Sequence, residues 1–153
     1  MSPLKNILLV ENDARDIELN LSALEEFNLA NRVVVARNGV EALDYLYRRG
    51  PFATHPPGKP IVILLDLNMP KMNGIEMLTL LKSDESMRTI PVVILTSSRE
   101  PKDLQECYAL GINAYVVKPI HFEEFTKMAR HTGLFWALYN EPPPDCTDDS
   151  AGL

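Results

Sequence analysis

The 153-residue sequence lacks the features that several common classes of protein require. Fifteen basic residues stand against 21 acidic ones, and the net charge of −6 disfavours binding to nucleic acid or to an anionic membrane. The two cysteines, Cys107 and Cys146, show no metal-ligand spacing, which indicates reduced thiols rather than a disulfide or zinc site. No apolar run is long enough to cross a bilayer, and the N-terminus has no signal core. The sequence therefore predicts a cytoplasmic protein, of a size that one domain can account for.

A short apolar segment that ends in an acid is the most informative stretch that is present. Residues 61–65 are uniformly apolar, and Asp66 follows them directly. Such a run is typical of a strand covered on both faces, as in a parallel sheet. Open α/β sheets bind ligands outside the carboxyl ends of their strands, so Asp66 lies where chemistry is expected. For this residue taken alone, a solvated acid at a strand end is the alternative.

Strand and helix patterns alternate along the chain. Apolar residues at helical spacing follow each of five predicted strands, at residues 7–10, 33–35, 61–65, 90–95 and 114–117. Asp13 and Asn38 are predicted to cap the first two helices. The second helix is predicted to bury Val40, Leu43, Leu46 and Tyr47. Glycine and proline between residues 50 and 60 predict a long surface loop, and the whole pattern predicts a doubly wound parallel α/β sheet.

Polar residues end four of these strands. Right-handed crossovers bring the carboxyl ends of parallel strands to one edge, so we expect the following to lie together: Glu11 with Asn12, Asp66, Thr96 and Lys118. A protease or zinc site would require histidine or cysteine, and the set contains neither. Carboxylates here suit Mg²⁺, which one or two of them commonly hold together with phosphate oxygens. A carboxylate beside Mg²⁺ can itself be phosphorylated, and a lysine can pair with the phosphoryl group.

At these positions the sequence resembles the receiver domains of two-component response regulators. The resemblance spans about residues 4 to 132 and lies in six segments: LVEN at 9–12, NGVEAL at 38–43, LLDLNMP at 64–70, NG at 73–74, IPVVILT at 90–96 and YVVKP at 115–119. It implies the flavodoxin-like fold, a doubly wound five-stranded parallel sheet of order 2-1-3-4-5 with five helices. It also implies a phosphorylation switch and not an enzyme.

The resemblance assigns roles to individual residues. Asp66 would accept a phosphoryl group from a sensor histidine kinase, and Mg²⁺ would be held by Glu11, Asn12, Asp66 and Asn68. The phosphoryl group would be bound by Lys118 and Thr96, and Tyr115 would follow Thr96 inward.

Three further positions match residues that adjust the switch in this family. Asn68 and Ser98 would tune loss of the phosphoryl group. A cis peptide before Pro119 would aim Lys118.

Asn12 departs from the family pattern, which usually has an aspartate there as a direct Mg²⁺ ligand. An amide oxygen is neutral, so we expect weaker Mg²⁺ binding and slower phosphoryl transfer in a site that still functions. Asp13 could swing in to compensate, although capping the first helix is the favoured interpretation. A purely structural role for Asn12 in the turn is the alternative to a tuned ligand.

Residues 1–139 are predicted to form the receiver domain, whose C-terminal part is a dimerisation arm. Residues 140–153, with three consecutive prolines, are predicted to be an extended or disordered tail that is too short for a DNA-binding output domain. The arm resembles that of stand-alone response regulators paired with bacterial and cyanobacterial phytochromes. This implies a phytochrome-like kinase partner and a homodimer through the last helix and the arm residues Phe135, Trp136, Leu138 and Tyr139. Folding of the arm back onto its own domain is the alternative.

Two other functions remain as hypotheses beside the single-domain response regulator. One is a phosphorylation-independent, receiver-like interaction module whose site has decayed at Asn12. The other is an aspartyl-phosphate phosphatase, because residues 66–68 partly match an Asp-x-Asp motif, although Asn68 stands where the motif has its second acid.

Overall fold

A computed structural model of the chain describes residues 6–26, 33–54, 58–69, 72–97, 99–118 and 121–132. Strands and helices alternate through this part of the chain. The strands are β1 (Ile7–Val10), β2 (Val33–Ala36), β3 (Val62–Leu65), β4 (Val92–Thr96) and β5 (Ala114–Val117). The helices are α1 (Ala14–Glu25), α2 (Gly39–Tyr47), α3 (Gly74–Ser83), α4 (Pro101–Ala109) and α5 (Phe122–Thr132). None of the helices in these ranges has the length and apolar character that a bilayer crossing requires.

The five strands form one parallel sheet in the order β2-β1-β3-β4-β5, so the predicted strand order is confirmed. The register aligns the strand ends. Val10 lies opposite Leu65, which makes Glu11 and Asp66 neighbours across two strands. Thr96 lies opposite Val117, which places Lys118 next to Thr96. Strand pairing alone therefore brings four polar residues to one edge.

Alternate residues of the central strands face two separate apolar cores. One face of β3, with Ile63 and Leu65, packs with apolar residues of α2, α3 and α4. The other face, with Val62 and Leu64, packs with Leu24 of α1 and Phe125 of α5. Helices on both faces explain why the strands are continuously apolar rather than alternating with polar residues.

Side-chain caps begin the first three helices. Asp13 Oδ1 accepts hydrogen bonds from the backbone N–H groups of Arg15 and Asp16, at 2.9 and 3.0 Å. Asn38 caps α2 in the same way, so both predicted caps are confirmed. Asn73 caps α3 in a reciprocal capping box, in which the Glu76 carboxylate accepts a hydrogen bond from the Asn73 N–H.

The prediction for the buried face of α2 was partly wrong. Val40 and Tyr47 are 44% and 38% exposed, and the buried face is formed by Gly39, Ala42, Leu43 and Tyr45. The Tyr45 hydroxyl accepts a hydrogen bond from Asn6, and its ring packs edge-on against Phe52 at a centroid distance of 5.4 Å. Phe52 belongs to a single 3-10 turn, Gly50–Phe52, in the segment predicted to be only a loop. A partner from outside the helix thus decides which side of α2 is buried.

Candidate functional site

Acidic and basic side chains meet at the carboxyl edge of the sheet. Lys118 Nζ lies 2.5 Å from Glu11 Oε1 and 3.7 Å from Asp66 Oδ2. The strand ends are fixed by the ladder, in which Asp66 N–H donates to the Val10 carbonyl and Lys118 N–H donates to the Thr96 carbonyl. The structure therefore brings together Glu11, Asp66, Thr96 and Lys118, which the sequence predicted to be close.

Burial gives this cluster unusual electrostatics. Glu11 is 1% and Asp66 6% exposed. Burial raises the pKa of Glu11 to about 7, and neighbouring Asp66 adds to the rise, while the hydrogen bond from Lys118 opposes it. For Lys118, burial alone would lower the pKa, but hydrogen bonds to Glu11 and Asp16 outweigh burial and raise it. The two buried carboxylates thus favour added positive charge, which one ammonium group supplies only in part.

The donor set is compatible with a hard divalent cation. Glu11 and Asp66 converge on one ammonium position, and Asn12 and Asn68 lie exposed at the same edge. The Asn68 N–H approaches Asp66 Oδ1 at 3.4 Å, so the loop after β3 begins against the carboxylate. Within the described ranges, no group of three or more His, Cys, Asp or Glu residues is arranged to hold a metal ion. Two carboxylates with neutral oxygens nonetheless fit Mg²⁺, which retains waters and takes further ligands from phosphate.

Asp16 also contacts Lys118, and the sequence did not single it out. Asp16 Oδ2 lies 3.0 Å from Lys118 Nζ, at a half-exposed position in the first turn of α1. Asp13 caps that turn and does not swing into the cluster, which agrees with the favoured sequence interpretation. The only available signal was indirect: a cap at Asp13 places residue 16 three positions into a helix that starts beside the acidic strand end.

A close backbone contact fixes the loop that carries Asp66. The Gly74 N–H donates to the Leu67 carbonyl at 3.0 Å. A Cβ atom on Gly74 would lie 2.5 Å from the Asp66 carbonyl oxygen and 2.7 Å from Leu67 Cα. Only glycine permits α3 to start this close to the end of β3. The sequence singled out Gly74 only as part of the NG segment of the family resemblance, and not for this packing.

The predicted switch residues differ in their surroundings. Thr96 is fully buried at the end of β4, and Tyr115 is half-buried on β5. Tyr115 lines a cavity of about 520 Å³ between α4, β5 and α5, together with Arg99, Tyr108 and Lys118. The cavity extends from Lys118 to the outer surface of these elements.

Several predicted residues lie outside the described ranges. They are Ser98, Pro119 and the arm residues Phe135, Trp136, Leu138 and Tyr139. The cis peptide, one of the two tuning positions and the dimerisation arm therefore stay predictions, as do the domain limits 1–139 and 140–153.

Comparison with known proteins shows the family to which the chain belongs. Residues 7–130 match the family described as "Response regulator receiver domain". The structure of the bacteriophytochrome response regulator RtBRR is 54% identical, with a TM-score of 0.80, covering 93% of this chain and 86% of that one. The phosphorylated cyanobacterial phytochrome response regulator RcpA is 36% identical, with a TM-score of 0.72, covering 88% and 95% of the two chains.

A third relative is the response regulator Rcp1 of Synechocystis sp. It is 34% identical over 135 residues, which cover 88% of this chain and 90% of Rcp1. Its Mn²⁺-bound structure has a TM-score of 0.72 and covers 92% of this chain and 99% of that one.

Proposed function

The chain belongs to the response regulator receiver family, a family of signalling proteins, and from this premise we propose that it accepts a phosphoryl group on Asp66 from a sensor histidine kinase in the presence of Mg²⁺. One observation supports this most directly. Asp66 lies 3.7 Å from the Lys118 ammonium and beside a second buried carboxylate, Glu11. The two carboxylates and the Lys118 ammonium thus lie together at the sheet edge where α/β folds bind their ligands.

The chemistry follows from the groups in the cluster. An Asp66 carboxylate oxygen would attack the phosphorus of a phosphohistidine; an O–P bond forms, the N–P bond breaks, and the imidazole leaves with that electron pair. Bound Mg²⁺ would be held by Glu11, Asp66, the Asn12 amide and the Asn68 carbonyl. Its positive charge would offset the negative charge of the phosphoryl oxygens. Lys118, whose ammonium is kept charged by its acidic partners, would pair with a phosphoryl oxygen.

The signal would pass through the neighbouring strands. A phosphoryl group adds negative charge and strong acceptors next to the Thr96 hydroxyl. Movement of Thr96 toward those acceptors would free space beside β5, and Tyr115 already borders the 520 Å³ cavity into which its ring could turn. The output surface would then be the face formed by α4, β5 and α5. Phosphorylation would shift the equilibrium between two conformations of this face.

Asn12 would tune this site and not abolish it. With a neutral amide in place of a carboxylate, the cation would be held by two acids and neutral oxygens. The competing hypothesis, an interaction module that is never phosphorylated, draws its support from the same residue. Mg²⁺-dependent labelling separates the two.

The kinase partner is proposed from the relatives. RtBRR and RcpA are named as phytochrome response regulators, and we extend that pairing to this chain. A homodimer through the last helix and the arm at Phe135, Trp136, Leu138 and Tyr139 belongs to the same proposal. Sizing of the protein with and without phosphorylation, and after Trp136→Ala, tests the dimer.

The decisive experiment measures covalent labelling of Asp66. Incubation with a small acyl phosphate and Mg²⁺ should add the mass of one phosphoryl group to the intact chain. Asp66→Asn should abolish that addition, because an amide is not a nucleophile of this kind. Asp44→Asn, which removes an acid on α2 that pairs with Arg49 away from the site, is the matched control and should label normally.

Two results would contradict the proposal. Labelling that persists in Asp66→Asn would place the acceptor elsewhere, and labelling that never occurs with Mg²⁺ would favour the interaction module. Asn12→Asp should lower the Mg²⁺ concentration needed for half-maximal labelling if Asn12 is a tuned ligand. Multiple turnovers of a phosphate ester would instead support the phosphatase hypothesis.

A further inference from the structure

Asp16 has a contact that the proposed chemistry does not yet use. We propose that Asp16 is a positioning residue that takes over the Lys118 ammonium when a divalent cation occupies Glu11 and Asp66, so that lysine and metal remain in the site together. The inference rests on the proposed function, because it assumes that the cluster binds Mg²⁺.

The need for a second partner arises from the position of Lys118. Its Nζ atom lies 2.5 Å from Glu11 Oε1, so the ammonium uses an oxygen that a metal would also require. Two cations sharing this carboxylate in a buried site repel each other strongly. Lys118 must therefore leave Glu11 when the metal binds, yet stay near Asp66 to reach a phosphoryl oxygen.

Asp16 is placed to receive it. Its Oδ2 atom lies 3.0 Å from the same Nζ, and it belongs to α1, whereas Glu11 and Asp66 belong to strand ends. The Asp16 N–H donates to Asp13 Oδ1, which anchors this turn of the helix. The Lys118 side chain is 13% exposed and that of Asp16 36%, so their ion pair is partly shielded from solvent.

The structure also provides room for the shift. Asp16 and Lys118 line one cavity of about 460 Å³ beside α1, and Asn20 and Ser97 form further polar parts of its wall. The ammonium can thus move from Glu11 toward Asp16 without entering an apolar core.

Direct metal ligation by Asp16 is the competing explanation. Glu11, Asp16 and Asp66 all lie within 4 Å of Lys118 Nζ. They are nevertheless not arranged as a metal-binding group of three acids, a geometry that no described cluster of the chain has. The contact that Asp16 makes is with the lysine, so in the proposal it supplies the charge that Asn12 lacks through Lys118, and the Lys118→Met background below separates this from ligation.

The test is Mg²⁺ affinity measured by calorimetry without any phosphodonor. Asp16→Asn should weaken binding about fivefold, the size expected for one partly exposed ion pair, and a loss below about twofold would overturn the proposal. Asp16→Glu keeps the carboxylate, so its decrease in the logarithm of the Mg²⁺ affinity should be at most half of that in Asp16→Asn. Asp13→Asn removes a charge from the same turn, keeps a good helix cap and should change affinity less than twofold.

The background of Lys118→Met separates the mechanisms. If Asp16 acts through the lysine, Asp16→Asn should have no further effect there. If Asp16→Asn weakens Mg²⁺ binding as much in the Lys118→Met chain as in the wild-type chain, Asp16 is a metal ligand and the proposal is overturned. If Asp13→Asn weakens binding as much as Asp16→Asn does, the effect is one of overall charge and the proposal is also overturned. A wild-type chain that binds no Mg²⁺ would overturn the proposed function itself, whereas normal Mg²⁺ binding and labelling with an unaffected Asp16→Asn would overturn this inference alone.

Discussion

Replacing Gly74 with alanine tests how closely the backbone packs around Asp66. The added Cβ would lie 2.5 Å from the Asp66 carbonyl oxygen and 2.7 Å from Leu67 Cα. Both are backbone atoms, so neither can rotate away as the end of a side chain could. Either the loop after β3 or the start of α3 has to move, and the hydrogen bond from the Gly74 N–H to the Leu67 carbonyl moves with it.

The expected cost can be set against the gain in helix propensity. Overpacking of this kind costs about 1–3 kcal/mol, and alanine in a helix is favoured over glycine by up to about 1 kcal/mol. We therefore expect Gly74→Ala to lower the free energy of unfolding by about 1–2 kcal/mol. In a domain of this size, that loss corresponds to roughly 2–8 °C in Tm.

Gly39 offers a matched control, since both glycines open a helix in the sequence Asn-Gly-x-Glu with the asparagine as cap. A Cβ on Gly39 would meet the Met72 side chain, with Cβ and Cγ at 2.9 Å and Sδ at 3.0 Å. A change of rotamer can move Met72 Cγ and Sδ away, which leaves one contact at 2.9 Å with Met72 Cβ to be relieved by a small shift, against two backbone contacts at 2.5 and 2.7 Å for Gly74. Gly39→Ala should therefore cost less than Gly74→Ala, although the helix propensity gain is the same in both.

Urea unfolding of the two variants and the wild-type chain measures the difference. Labelling of Asp66 with a small acyl phosphate should be slowed in Gly74→Ala and close to normal in Gly39→Ala, because only the first displaces the backbone of residues 66 and 67. The reasoning is refuted if Gly74→Ala is as stable as the wild-type chain, or more stable than Gly39→Ala.

Two further predictions concern buried polar groups outside the cluster. The Asn20 side-chain nitrogen is buried without a hydrogen-bond partner, so Asn20→Leu should raise the free energy of unfolding by about 1–3 kcal/mol. A urea midpoint that falls or stays the same would contradict this. Burial, with Asp103 and Glu106 adding to it, raises the pKa of Cys107 to about 11, so about one thiol in a thousand is ionised at pH 8. In a Cys146→Ser chain, alkylation at pH 8 should be at least about 100-fold slower in the native protein than in urea, and the native rate should climb with pH toward 11. Equal rates would show that Cys107 is accessible.

The strand-end residues could be predicted because sheet geometry leaves little freedom. Once five apolar strands are parallel, the register of Val10 with Leu65 and of Thr96 with Val117 dictates which residues follow side by side. The approach of Lys118 to Asp66 needs only these pairings. Local capping was equally accessible, since Asp13 and Asn38 act within three residues of themselves.

The buried face of α2 could not be predicted from spacing. The nine-residue helix α2 has apolar residues on two overlapping faces. Val40 and Tyr47 fit the spacing of one face, and Tyr45 fits the spacing of the other. The choice depends on Asn6 and Phe52, which meet Tyr45 from outside the helix. Phe52 reaches it only because a 3-10 turn forms in a segment rich in glycine and proline. Helix period alone contains none of this information.

Asp16 shows the same limit within the functional site, with a larger consequence. Its contact with Lys118 joins residues 102 positions apart and depends on how the first turn of α1 packs over the end of β5. Residues that directly follow paired strands must lie close together, so sequence motifs can identify them. A residue on a helix joins the cluster only if the helix packs against the sheet in the right position. The charge balance around Lys118 is therefore a tertiary property. Asn12, taken alone, predicts a site with one acid too few, but the folded chain has a third acid in contact with the lysine. Whether that acid acts on the metal through Lys118 is what the Mg²⁺ affinity of Asp16→Asn, with and without the lysine, decides.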